Sequence, residues 1–238
     1  MKDAYSVIAK FYDSLMTDFD YDKYYEFVKR YATGELLELA CGSGAFTTLL
    51  LKTAKNIIAL DISSEMLNIA RQNNIRDRKY VTFLEKSMEN IDFDKKFDNC
   101  FCVCDGLNYI ENIEKVIKNV YEHLKVGGAF VFDISSEYKL NNVIGDNVFY
   151  EDNDDFTYLW TNKLYDNRVC MDLAVFTREK NDMYSRCDEE HTQYIHRLCD
   201  IDNILKKVGF SYEVYSGDTF SNVNEKSTRL LFVCKKNS

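Results

Sequence analysis

Two carboxylates flank a glycine-rich bend, and their types and spacing indicate a ligand site. The stretch LLELACGSGAF (36–46) carries Glu38 ahead of Gly42 and Gly44, and Asp61 ends the next predicted strand. Glycines at a strand-to-helix junction allow a ligand close to the backbone, and the helix start offers free N–H groups. Glu38 suits an ammonium group, and Asp61 can accept hydrogen bonds from both hydroxyls of a diol.

This combination separates two classes of ligand. A dinucleotide site has the pattern G-x-G-x-x-G and holds a pyrophosphate at the helix start, but Thr47 stands where the third glycine would fall. The Glu38 carboxylate would also repel a pyrophosphate. The two carboxylates and the bend suit a ligand that has an amine at one end, a middle part that lies along the bend, and a ribose diol. S-adenosylmethionine matches this description better than NAD.

The chain around the bend alternates between strand and helix patterns. Strands are predicted at 35–40, 56–62, 79–88, 97–104 and 129–135, and helices at 45–55, 63–73 and 113–124. Gly127 and Gly128 are expected to end the last of these helices. Such alternation is typical of an open α/β sheet with right-handed crossovers, in which ligands bind beyond the carboxyl ends of the strands. Five polar side chains fall at or near those ends: Glu38, Asp61, Ser87, Asp105 and Asp133.

The pattern changes between residues 150 and 197, where three long segments alternate with period two. Turns are expected at 166–167 and 181–182. The predicted fold class is therefore α/β, with a Rossmann-like doubly wound sheet that is mostly parallel, an antiparallel C-terminal strand and an inserted antiparallel β-sheet lid. The sheet domain is assigned to residues 1–141 plus 199–238. The lid is assigned to residues 142–198 and is expected to cover the acceptor, the molecule that would react with the bound ligand. The aromatic helical segment 1–31 is expected to cover the site as well.

Composition excludes several kinds of partner. The chain has 238 residues and a formal net charge of −9, so an extended phosphate backbone is a poor partner. It has no proline, so it lacks the Pro-containing motifs of enzymes that methylate nucleic-acid bases. No run reaches the roughly 18 apolar residues of a membrane span. The eight cysteines are interpreted as reduced thiols of a cytoplasmic protein, and no metal site is predicted.

Three stretches resemble the class I S-adenosylmethionine-dependent methyltransferases: ELLELACGSG, LDISSEML and FDNCFCVCDGLNYI…HLKVGGAFVFDI. The resemblance covers roughly residues 35–135. AKFYDSLM and DEEHTQY are similar to a bacterial subgroup that acts on small molecules and includes amino-sugar N-methyltransferases. The implied activity is methyl transfer from S-adenosylmethionine to a small-molecule amine or hydroxyl.

The resemblance also implies roles for individual residues. Asp61 would bind the ribose, and the backbone N–H of Met88 would face the adenine. Ala40 replaces the first glycine of the family loop, and Ser87 stands where many members carry an aspartate. The full set of cofactor-site candidates is Tyr12, Glu38, Ala40, Gly42, Gly44, Asp61, Ile62, Met66, Ser87, Met88 and Asp105.

On the acceptor side, the catalytic candidates are His191, Tyr12 and Asn108. His191 would act as a base or an orienting group, and a base is optional for an amine that carries a lone pair. Two other functions remain open from the residues: a module that binds the cofactor without turnover, and an NAD-dependent oxidoreductase. Formation of a homodimer also stays open.

Overall fold

A computed structural model describes residues 19–77, 79–152, 154, 156–179 and 183–237. The helices within these ranges are α1 (Tyr21–Val28), α2 (Ala45–Leu50), α3 (Ser64–Asn73), α4 (Ile113–His123) and α5 (Leu198–Val208). The strands are β1 (Gly34–Leu39), β2 (Ala54–Asp61), β3 (Val81–Glu85), β4 (Phe97–Cys102), β5 (Leu124–Ser135), β6 (Val148–Asp152), β7 (Phe156–Tyr165), β8 (Arg168–Arg178), β9 (Tyr184–Tyr194), β10 (Phe210–Ser216) and β11 (Arg229–Lys236).

Seven strands form the main sheet, in the order β10-β11-β5-β4-β1-β2-β3. Strands β1 to β5 run parallel, whereas β11 pairs antiparallel with β5 and β10 pairs antiparallel with β11. The predicted fold class is confirmed. Because the parallel strands share one direction, their carboxyl ends meet at one edge of the sheet.

Both faces of the main sheet are covered, which explains its continuous apolar strands. On β1, Leu37 and Leu39 belong to one core cluster, which includes side chains of α4 and α5. Leu36 belongs to the cluster on the opposite face, with side chains of α1, α2 and α3. Since side chains alternate along a strand, Glu38 shares the face of Leu36 and lies under α2.

Two predicted boundaries are wrong for related reasons. Helix α4 ends at His123 and β5 begins directly at Leu124, so Gly127 and Gly128 lie inside a strand. A side chain on Gly128 would come within 2.5 Å of the Asp98 carbonyl oxygen, so glycine permits close strand pairing there. Helix α2 stops at Leu50, well before residue 55, because β2 already begins at Ala54.

The segment between the two parts of the main sheet forms a second sheet, with the strand order β6-β7-β8-β9. The sequence predicts three strands, and the fourth, β6, is a short and mostly exposed edge strand whose VFYED sequence lacks a clear alternation. The turn at 166–167 is confirmed, and residues 181–182 lie outside the described part of the chain. The boundaries of the insertion at 142 and 198 stay predictions. No helix in the described ranges combines the length and apolarity needed to cross a membrane.

Asn108 fastens the second sheet to the first. Its side chain is fully buried, and its amide group donates to the carbonyl oxygens of Ser135 and Tyr194, at 3.2 and 3.0 Å. Its side-chain oxygen accepts from the Ser135 N–H at 2.9 Å. Nearby, His196 contacts the Ile110 carbonyl oxygen through Nε2 at 3.0 Å. One amide therefore joins the ends of β5 and β9.

We expect Asn108→Ala to lower the free energy of unfolding by about 2–4 kcal/mol, because it leaves buried backbone groups without partners. Hydrogen exchange should become faster in β9 in particular. Asn119→Ala is the matched control, since that amide donates to the Glu89 carbonyl oxygen and does not touch the second sheet. Equal exchange of β9 in both variants would show that Asn108 does not join the sheets.

Candidate functional site

The first acidic residue of the site, Glu38, is buried at the end of β1. Its carboxylate accepts a hydrogen bond from the Thr47 hydroxyl in α2 at 2.7 Å. Burial raises the pKa of Glu38 to about 8, against the lowering effect of that hydrogen bond, and the nearby Asp61 charge adds to the rise. In the free protein this carboxyl is therefore mostly protonated at neutral pH, and a bound cation would favour its ionised form.

The bend after β1 depends on left-handed backbone at three alternate positions. Ala40, Gly42 and Gly44 have φ angles of 51°, 53° and 77°. A side chain on Gly44 would come within 2.8 Å of Asn74 Nδ2, so this glycine lets the bend pack on α3. A side chain on Gly42 would meet no atom within 4 Å in the described residues. Gly42 thus lies against open space, where a ligand can approach the backbone.

Asp61 ends β2 and holds the bend from the other side. Its carboxylate accepts from the Gly42 N–H at 2.8 Å and from the Ser63 N–H at 2.9 Å. Burial raises its pKa, although these backbone hydrogen bonds oppose the rise. Each carboxylate oxygen makes one of these bonds and keeps a further lone pair for a ligand hydroxyl. Asp61 can therefore hold the bend and bind a diol at the same time.

The candidates on the adenine side have different environments. Ile62 leaves 61% of its surface exposed beside the end of β2, as expected of a side chain that a flat ligand could cover. Met66 and Met88 are buried. Ser87 caps the 3₁₀ turn Met88–Asn90, and its hydroxyl accepts from the Glu89 N–H at 3.2 Å.

The turn after β4 is held in an unusual conformation. Cys104 and Asp105 are consecutive non-glycine residues with φ angles of 59° and 51°, which L-residues seldom adopt. The buried carboxylate of Asp133 accepts from both of their backbone N–H groups, at 3.1 and 2.7 Å. Arg229 Nη1 lies 2.5 Å from the same carboxylate. A buried ion pair between β5 and β11 thus fixes the turn.

The Asp105 side chain faces the second sheet. It accepts from the Ser135 hydroxyl at 2.6 Å and from Gln193 Nε2, in β9, at 3.4 Å. Burial alone would raise the pKa of Asp105, but the Arg229 guanidinium, the Lys139 ammonium and these hydrogen bonds together lower it. Asp105 is therefore an ionised carboxylate at the ligand edge, the edge of the main sheet where the carboxyl ends of the parallel strands meet.

Glu189, His191 and Gln193 form a polar row on the inner face of β9, since every second side chain shares a face. His191 Nε2 lies 3.4 Å from a carboxylate oxygen of Glu189. The His191 ring also lies edge-on to the Tyr109 ring at 6.0 Å between centroids. Tyr109 belongs to the 3₁₀ turn Gly106–Tyr109, which follows Asp105. The row therefore faces the same ends of the strands as Asp105.

The other catalytic candidates are placed differently. The Asn108 side chain is fully engaged with backbone groups, which makes it a positioning residue. Tyr12 lies outside the described residues. Sequence reasoning missed Gln193, Thr47 and Arg229 as members of the site. For Gln193 a signal existed, because Glu189, His191 and Gln193 alternate along a strand, but nothing local marks Arg229 or Thr47.

Comparison with known proteins agrees with this geometry. A family model for a methyltransferase domain matches residues 36–128. YqeM of Bacillus subtilis (strain 168), whose name gives it as a methyltransferase of unproven activity, is 30% identical over 241 residues, covering 98% of this chain and 97% of that protein.

Two solved structures have a similar fold. An S-adenosylmethionine-dependent methyltransferase from Clostridium acetobutylicum ATCC 824 has a TM-score of 0.89 at 33% identity, with 98% of this chain and 99% of that chain covered. The sugar N-methyltransferase KedS8 from Streptoalloteichus sp ATCC 53650 has a TM-score of 0.79 at 16% identity, with 99% and 96% covered, which shows a shared fold alone.

The methyltransferase relatives do not favour the two alternative functions, a cofactor-binding module without turnover and an NAD-dependent oxidoreductase. One assignment agrees with the bend between Glu38 and Asp61 and with the open space beside Gly42. It also agrees with the similarity to methyltransferases over the whole length of the chain. The chain belongs to the class I S-adenosylmethionine-dependent methyltransferase family, and S-adenosylmethionine is its cofactor.

Proposed function

We propose that this enzyme methylates a small-molecule acceptor that binds between the ligand edge of the main sheet and the inner face of the second sheet. The burial of the polar row on β9 carries this proposal. The side chains of His191 and Glu189 are only 8% and 3% exposed. A small molecule can enter such a site, whereas a nucleic acid or a folded protein would need to displace the second sheet. The net charge of −9 also disfavours nucleic acid.

On this proposal the first half of the site holds the cofactor. Glu38 would bind the ammonium of its amino-acid part, the bend at Ala40, Gly42 and Gly44 would lie along that part, and Asp61 would accept from the ribose hydroxyls. Ile62, Met66, Ser87 and Met88 would surround the adenine. When bound, the cofactor supplies an electrophilic methyl group on a sulfonium, so the protein's main tasks are alignment and the exclusion of water.

The second half of the site would orient the acceptor. His191 can take a proton from the attacking group, and Glu189 lies close enough to fix the orientation of the imidazole ring. Asn108 would act indirectly, by fixing the distance between β9 and β5. Asp105 would lie at the reacting end, between the two halves.

The direct test is incubation of the enzyme with a cell extract and a methyl donor carrying an isotope-labelled methyl group. We expect the label in a metabolite that gains one methyl mass, and turnover should fall by roughly 10²-fold or more in His191→Gln, the range for loss of a general base. Binding of S-adenosylhomocysteine should change little in this variant. His123→Gln is the control, because that residue ends α4 at the opposite edge of the sheet. Label found only in nucleic acid or protein would overturn the proposal.

Asp61→Ala should weaken binding of S-adenosylhomocysteine by about 2–3 kcal/mol, because charge-assisted hydrogen bonds to the ribose are lost. Isothermal titration calorimetry measures this directly. Asp77→Ala serves as the control, since it removes an exposed carboxylate from the loop after α3. Equal affinities in wild type and Asp61→Ala would remove Asp61 from the cofactor site.

Glu38→Gln should reduce the loss of stability between pH 5 and pH 8 in the free protein. The folded pKa of Glu38 is about 8, above its ordinary value of 4.5, so the wild type loses stability as the unfolded chain ionises across this interval. The difference in the free energy of unfolding between the variant and the wild type should grow by about 2–4 kcal/mol from pH 5 to pH 8, measured by urea unfolding. The variant should also bind S-adenosylhomocysteine more weakly. Parallel stability curves would show that Glu38 is already ionised in the free protein.

A further inference from the structure

Strand β3 forms an open edge of the main sheet. It is the last strand in the order of that sheet, and among the described strands it pairs with β2 alone. The carbonyl oxygen of Tyr80 and the N–H of Lys86 bond to β2, at 2.8 and 2.9 Å. Since backbone groups point to alternate sides along a strand, the even-numbered positions of β3 face β2 and the odd-numbered positions face outward. The edge therefore presents a row of backbone donors and acceptors to a further strand.

The contact of Arg71 with this edge agrees with that direction. Its Nη2, on α3, donates to the carbonyl oxygen of Phe83 at 3.3 Å. A carbonyl oxygen has two lone pairs, so Phe83 can accept a second hydrogen bond. A groove of about 290 Å³ runs between α3 and the edge and is lined by Arg71, Asn74, Val81, Thr82 and Phe83. The edge thus has room for the side chains of a further strand as well as for its backbone.

Apolar side chains surround the open edge. Ile75 and Tyr80, on the loop between α3 and β3, leave 61% and 43% of their surfaces exposed. Val81 and Phe83 lie on the face of β3 that α3 covers, and Leu84 lies on the opposite face. Exposed apolar surface beside unpaired backbone groups is typical of a site of protein association.

The β3 sequence is complementary to itself in one antiparallel register. When Thr82 faces the Thr82 of a second copy, Val81 faces the partner's Phe83 on the α3 face. On the other face, Tyr80 faces the partner's Leu84. In this register outward-facing positions meet outward-facing positions, as hydrogen bonding between antiparallel strands requires. Every pair around the central threonines is therefore apolar, and the backbone groups match.

The charges at the ends of this register are also complementary. Lys79 and Glu85 are both exposed, and each lies at the level of the other residue in the partner. Charged residues usually protect a sheet edge from association, but opposite charges that face each other across two strands stabilise the pair. The edge strands of the second sheet differ, because β6 carries Glu151 and Asp152, and β9 carries three consecutive acidic residues at 188–190. Two copies paired through either of those strands would bring like charges together.

We infer that a second copy of this chain binds to β3, so that two main sheets join edge to edge in an antiparallel dimer with two-fold symmetry. A self-complementary strand is what such symmetry requires, because the same surface serves both partners. The two-fold axis would pass between the two Thr82 residues, perpendicular to the sheet. The ligand edges of the two copies would then point in opposite directions, and both cofactor sites would stay open. This inference goes beyond the proposed function and does not depend on the acceptor.

Sedimentation equilibrium of the full chain and its charge variants tests the interface. We expect a dimer for the wild type, and Lys79→Glu or Glu85→Lys alone should weaken it about tenfold or more, because like charges then face each other at both ends of the interface. The double variant Lys79→Glu/Glu85→Lys restores opposite charges and should recover the dimer. Lys118→Glu is the matched control, since it changes the charge of an exposed residue on α4.

Thr82→Cys tests the register. Copper phenanthroline should oxidise it to a disulfide between two copies, because facing residues of a non-hydrogen-bonded pair bring their Cα atoms close together. Peptide mass spectrometry identifies the link, and Glu85→Cys should not link to itself. Binding of S-adenosylhomocysteine shows that each variant is folded.

Three results would overturn the inference: a monomeric wild type, a dimer that the single charge variants leave unchanged, or no recovery in the double variant. Pairing of β3 with a peptide of a different protein would leave the purified chain monomeric, and so would also contradict it. Failure of the wild type to bind S-adenosylhomocysteine would instead count against the proposed function.

Discussion

The buried pair between Asp133 and Arg229 is the interaction on which the turn after β4, and with it the proposed acceptor side of the site, depends. It joins β5 to β11, the one antiparallel strand next to the parallel set, and its carboxylate also accepts two backbone N–H groups from the turn after β4. The attraction between two buried charges offsets the free-energy cost of their desolvation only when such additional hydrogen bonds are present. Here those additional bonds fix a strained turn and so set the direction of Asp105.

The two halves of the site use carboxylates in different electrostatic states. Glu38 has no cation nearby in the described residues and therefore stays largely protonated until a cationic ligand arrives. Asp105 lies near Arg229 and Lys139 and is ionised before any ligand binds. Burial is common to both, so the neighbouring charges decide which state each carboxylate adopts. Two buried carboxylates at one edge of the sheet thus differ in charge before any ligand binds.

Local patterns were enough to predict the main sheet and the glycine bend that Asp61 holds at the end of β2. The glycine bend and the acidic strand end at Asp61 lie close together in sequence, and each has a local physical cause. The boundaries of α2 and α4 were wrong because strand pairing of Ala54 and Leu124 overrode helix propensity. The proposed acceptor half was harder to predict from the sequence. Arg229 contacts Asp133 from 96 positions away, and no local pattern encodes such a contact. Gln193 showed an alternation, but its partner Asp105 could be found only from the fold.

The close approach of Ala40 to Gly106 limits which residues these two positions can hold together. The methyl group of Ala40 fills the space that a side chain at position 106 would need, so the two positions cannot enlarge independently. Glycine at position 40 would remove this contact, but Cys102 Sγ would still lie 3.1 Å from a side chain at position 106. A larger residue at 106 would therefore require smaller residues at both 40 and 102.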